Sequence, residues 1–124
     1  MIKSSSKLIV TFFNHAHLSF AMKPVIIVST YPDKKSIASI ANQVVKNRLA
    51  ACVNVIKISS TYSWKGKIEN TTEYLALFKN TKKNQSILKN TIKKTHPYDV
   101  PEIAEIAVSS INKPYLKWLI ESTS

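Results

Sequence analysis

The sequence predicts an α+β domain, βαββαβ with one further helix at its C-terminal end, on three observations. A run dominated by β-branched residues, Val25 to Thr30, opens the domain. Two apolar runs joined through Lys65-Gly66 form a long hairpin in its middle, and two segments with helical apolar spacing separate the strands. The 124 residues suffice for one hydrophobic core and not for two.

Each element has its own signals. Val25 to Thr30 has the composition of a strand buried on both faces and ends at Tyr31-Pro32. Asp33 then caps a helix in which Ile37, Ile40, Ala41, Val44 and Val45 fall at i, i+3, i+4, i+7 and i+8, one buried stripe. Cys52 to Trp64 reads as a long strand, with Val53 and Val55 in period-two placement, and Lys65-Gly66 turns the chain. Glu73 to Lys79 is the returning strand, so Cys52 to Lys79 forms one extended hairpin. Thr81 begins the second helix, where Ile87, Leu88, Thr91 and Ile92 share a face and His96-Pro97 stops it. Ile103 to Val108 is the last main strand. Asn112 and Pro114 start a final helix that buries Leu116, Leu119 and Trp118.

This is the ferredoxin-like, split βαβ order plus a terminal helix. Two crossover helices cover only one face of a four-stranded antiparallel sheet. In the returning strand Tyr74, Ala76 and Phe78 alternate with Leu75 and Leu77, so both faces are apolar. A lone chain would expose more apolar sheet than monomers tolerate, and self-association is the expected remedy. The long hairpin can add edge strands to a neighbour.

Composition narrows the function. A single glycine, Gly66, excludes glycine-rich phosphate loops. The net charge of +11 raises nucleic acid as a partner, but the lysines fall in scattered pairs, Lys34-Lys35, Lys82-Lys83 and Lys93-Lys94. One cysteine, Cys52, permits no intramolecular disulfide and no cysteine-built zinc cage, which fits a cytoplasmic protein. Any metal site must be poor in sulfur or assembled from several chains. Residues 1–23 carry a weak, interrupted apolar patch, Leu8 to Phe13, that fails the signal-peptide pattern. They read as an extension, disordered or lying upstream of a true start at Met22, with the domain spanning 24–124.

The densest chemistry lies in Thr95-His96-Pro97-Tyr98-Asp99-Val100-Pro101-Glu102, with an imidazole, a phenol and two carboxylates around two prolines. Each proline pushes its predecessor, His96 or Val100, into extended backbone, so the loop is stiff. A stiff loop can hold ligand groups at a set spacing. A helix exit followed by a strand start would also place prolines here.

Several motifs in order resemble the CutA divalent-cation tolerance family: Leu49-Ala50-Ala51-Cys52-Val53-Asn54, Tyr62-Ser63-Trp64-Lys65-Gly66-Lys67-Ile68, His96 to Glu102, and Pro114-Tyr115-Leu116-Lys117-Trp118-Leu119. The resemblance covers about residues 24–123. It implies a homotrimer of ferredoxin-like subunits, no catalysis, and an association with divalent-cation tolerance and copper(II). Some members use a cysteine on the first strand and adjacent histidines before the Pro-Tyr pair. The matching positions here are Ser29, Thr95 and His96, so only the histidine remains, and copper(II) prefers imidazole and thiolate to hydroxyl. The metal candidates are therefore His96, Cys52, Asp99 and Glu102. Cys52 also suits core packing, and the two carboxylates an oxygen-rich site. Tyr62, Trp64, Lys79 and Tyr98 are the candidates to line an intersubunit cleft, the aromatics also serving as interface packing.

Three other readings compete. A PII-like trimer would sense a small ligand in its clefts without metal specificity. An RNA-binding module shares the element order, but Lys65-Gly66-Lys67-Ile68 departs from the aromatic RNA-recognition pattern after its glycine. An enzyme would use His96 with Asp99 or Glu102, without a nucleophile motif or cofactor fingerprint beside them.

Overall fold

The computed structural model describes residues 19–124, and within them the elements follow the expected order. They are β1 (Pro24–Tyr31), α1 (Lys34–Lys46), β2 (Cys52–Trp64), β3 (Lys67–Thr81), α2 (Gln85–Thr95), β4 (Ala104–Ala107) and α3 (Lys113–Ser122). The strands form one antiparallel sheet in the order β2-β3-β1-β4, the ferredoxin-like arrangement with α3 added.

Alternation along the strands sorts side chains between two faces. Val25, Ile27, Ser29 and Tyr31 of β1 are buried, as are Ala76, Phe78 and Asn80 of β3. The core joins Ile27, Tyr31, Ala76 and Phe78 to Ile37, Ile40 and Val44 of α1 and to Leu88 and Ile92 of α2. Each such apolar side chain contributes about 1.5–3 kcal/mol relative to leaving it in water. The other face carries Ile26, Val28, Leu75 and Leu77, only partly buried, with Ile56 and Ile106 each 50% exposed. Helix α3 covers a corner, where Leu116 and Leu119 meet Ala51. The apolar open face expected from the sequence is thus present.

The boundaries depart from expectation in instructive ways. Strand β3 begins at Lys67, not Glu73, because every residue from Lys67 to Lys79 is paired with one of β2. The turn between them places Lys65 at φ 51° and Gly66 at φ 79°, the double left-handed geometry of a type I′ hairpin turn. Beyond Tyr74 the hairpin has lost its pairing with β1, so its outer half is a two-stranded arm. Thr81 ends β3 rather than starting α2, whose cap is Asn84. The Asn84 amide instead ties the Arg48 and Thr123 carbonyls. Asp33 does cap α1, accepting the Ser36 N–H at 2.7 Å. Val45 and Ile87, expected inside, are exposed because each lies about one residue's rotation off the centre of its buried stripe. Strand β4 is shorter than Ile103 to Val108.

Of the expected N-terminal extension, residues 1–18 lie outside the described residues. Phe20–Met22 form a short 3-10 turn, and the Ala21 and Lys23 carbonyls accept N–H groups of Lys83 and Lys82. These two bonds tie residues 21–23 to the segment between β3 and α2.

Candidate functional site

Helix α2 ends at Thr95, whose hydroxyl donates to the Thr91 carbonyl at 2.7 Å and so serves the helix. His96 follows in extended backbone, φ −72° and ψ 135°, as its proline neighbour requires. That turn directs the imidazole inward, onto the buried side of β1. The ring stacks on Tyr31 with centroids 4.2 Å apart and planes at 24°. The Tyr98 N–H donates to Nδ1 at 3.1 Å, and Nε2 lies 3.1 Å from the Ser29 hydroxyl. An Nδ1 that accepts leaves the proton of the neutral ring on Nε2, which then donates to Ser29. Burial pushes the imidazole below its ordinary pKa, only partly opposed by the Thr30 backbone and the Glu73 charge. Both ring nitrogens are engaged.

The remaining candidates divide between two places. Cys52 and Lys79 face each other across the β2–β3 ladder at the sheet end of the hairpin. The Cys52 thiol reaches the Asn54 side chain at 3.8 Å, and the Lys79 ammonium lies 5.9 Å from the Tyr115 ring centroid. Six residues of strand, roughly 20 Å, separate Lys79 from Glu73. Within one chain Lys79 therefore lies apart from Tyr62, Trp64 and Tyr98, and Cys52 apart from the loop carboxylates. Among the described residues no three His, Cys, Asp or Glu side chains converge as a metal cluster. The donor set expected for copper(II) does not assemble within one chain.

Tyr62, Trp64, Tyr98, Asp99 and Glu102 do come together. With Thr30, Glu73 and Val100 they line a cleft of about 400 Å³ between the arm and the loop after α2. Glu73, paired with Ile58 of β2 and one residue short of the stretch of β3 that pairs with β1, was not foreseen as a site residue. The only signal was an acidic residue opening an apolar strand. It is 9% exposed and accepts the Tyr98 hydroxyl at 2.7 Å. Burial, then the bond to Glu73, pushes the Tyr98 phenol up, so it stays a donor at neutral pH. Glu105 shows the contrast: Lys82 and Lys89 both bridge it and hold its carboxyl below the usual range. Among the described residues Glu73, Asp99 and Glu102 have no such partner. The cleft thus combines aromatic walls with carboxylates lacking counter-ions.

Known proteins share this architecture. The family described as CutA1 divalent ion tolerance protein matches residues 25–122. The divalent-cation tolerance protein CutA of Pyrococcus horikoshii is 42% identical over 99 residues, 80% of this chain and 97% of that protein. Human protein CutA is 42% identical over 95 residues, 76% of this chain but 53% of the longer human protein. The crystal structure of CutA from Xylella fastidiosa superposes with a TM-score of 0.79 at 35% identity, covering 82% of this chain and 99% of that one. By fold, motif order and identity, the chain belongs to the CutA1 divalent ion tolerance family.

Proposed function

We propose that the chain works as a homotrimeric, non-catalytic divalent-cation tolerance protein of the cytoplasm, and that divalent ions, copper(II) among them, bind where groups of more than one copy meet. The observation that carries this reading is the apolar sheet face left open by α1 and α2, whose half-exposed Ile56 and Ile106 need cover. Asp99 and Glu102, exposed beside that face, offer oxygen ligands that a second copy could complete. His96 supports the non-catalytic part, because the Tyr98 amide occupies the lone pair of Nδ1 and Nε2 carries the proton, which leaves the neutral ring no free lone pair to act as a general base. Sedimentation equilibrium with and without copper(II) tests the proposal. It expects three times the 14.0 kDa chain mass, with metal bound per assembly. A folded species at the single-chain mass would overturn it.

A second reading, a trimeric small-ligand sensor of PII-like type, is favoured by one specific observation. The cleft is walled by Tyr62, Trp64 and Tyr98, more surface than a bare ion uses.

A further inference from the structure

We infer that this cleft binds a small organic cation, an ammonium or quaternary ammonium group carried on a compact apolar body. The inference rests on the small-ligand reading and competes with the metal reading at Asp99 and Glu102, and the magnesium arm of the test below separates the two. Its first support is a local inversion of charge. The chain has 7 acidic residues against 18 lysines and arginines, yet Glu73, Asp99 and Glu102 all line this one cavity. None of the three has a salt bridge among the described residues. Glu73 is the most telling, since it is nearly buried and its one hydrogen-bond partner is a neutral phenol. A buried carboxylate without a counter-charge is costly, and a cation entering the cleft relieves that cost.

The walls indicate what kind of cation. In the single chain Tyr62 and Trp64 stand 42% and 50% exposed, and indole and phenol faces attract cations best when these are weakly hydrated. The Trp64 ring already draws one ammonium of its own chain, the Lys65 Nζ at 5.8 Å from the centroid. Size points the same way. A bare hard ion needs several oxygens at about 2.0–2.6 Å. The carboxylates here do not converge that closely, and about 400 Å³ is room for a molecule. Diffuse positive charge with methyl or methylene surface satisfies walls and carboxylates together.

The test is a fluorescence titration of Trp64 in a Trp118→Phe background, which leaves one of the chain's two tryptophans. Tetramethylammonium chloride is compared with tert-butanol, its neutral counterpart in shape, and with magnesium chloride, at matched ionic strength. The expected result is saturable binding of tetramethylammonium at least ~tenfold tighter than tert-butanol and not displaced by magnesium. Glu73→Gln keeps the acceptor for Tyr98 and should weaken binding ~tenfold. If that variant fails to fold by circular dichroism, Asp99→Asn with Glu102→Gln replaces it with the same expected direction. Trp64→Leu, followed by calorimetry, should weaken binding several-fold. Equal affinity for tetramethylammonium and tert-butanol, displacement by magnesium, or folded carboxylate variants that bind as the parent does would each overturn the inference. Sedimentation of the same samples reads the assembly separately, so a failed trimer and a failed cation site are distinguishable.

Discussion

Replacing His96 with alanine in metal-free protein separates a structural tie from a free ligand. The ring makes two hydrogen bonds, to Ser29 and from the Tyr98 amide, and one stacked contact with Tyr31. A neutral hydrogen bond contributes about 1 kcal/mol net, and an aromatic pair about 0.5–1.5 kcal/mol. The sum is about 2–4 kcal/mol, without counting the space left beside Tyr31, itself only 1% exposed. For a chain of this length each kcal/mol moves the unfolding midpoint by roughly 3–6 °C, so the variant should melt roughly 6–24 °C below its parent. Calorimetry in excess chelator at one fixed protein concentration measures this, since the midpoint of an oligomer depends on concentration. Ser29→Ala should show a smaller loss, about 1–2 kcal/mol, because one partner is removed and stacking survives. A His96→Ala midpoint within ~2 °C of the parent would refute the reasoning, as expected for a surface side chain that waits for metal.

Other expectations follow from the same geometry. The His96 pKa is depressed in the folded state, so the unfolded chain binds more protons. Its contribution is full above the unfolded value, about 6.5, and is lost as pH falls from there through the folded value. Thermal melts from pH 8 to pH 5 should decline on this account, and His96→Gln should flatten that part of the profile. At the hairpin tip, Lys65→Asn should raise stability by about 0.5–1 kcal/mol, because asparagine tolerates the left-handed backbone better. Gly66→Ala should cost about 1 kcal/mol through backbone strain alone, since an added Cβ would meet nothing within 4 Å. Denaturant midpoints check both. On the open face, Leu77→Asp should drive the proposed homotrimer toward single chains, measured by sedimentation; an unchanged mass would place the contact surface elsewhere.

The fold was legible because its signals are local and redundant. Asp33 caps α1, and Ile37, Ile40 and Val44 repeat at helical spacing. Lys65-Gly66 carries the hairpin turn, and Asn112 with Pro114 starts α3. What escaped depended on pairing across the sheet. Lys67 to Thr72 has little apolar character and is strand only because β2 pairs with it. Thr81 resembles a helix cap locally but is held by its register with Pro24. The site was half legible for the same reason. Tyr98, Asp99 and Glu102 share a loop, whereas Glu73 and Thr30 reach the cleft through strand register, which no linear motif records. The inward turn of His96 was the largest surprise. Its proline neighbour fixes the backbone, but only the buried Ser29 and Tyr31 show which way the ring points.

The outer arm has a consequence for how the molecule matures. From Ser59 to Thr72 the two strands have each other and, among the described residues, no third, and their side chains are nearly all exposed. An isolated two-stranded ribbon is marginal in water. Its amides should therefore exchange with solvent long before those of β1, and in the proposed homotrimer they should slow down once another copy docks alongside. In the proposed homotrimer the final ordering step is an encounter between molecules, and its rate should climb with protein concentration while the core forms at a pace indifferent to it.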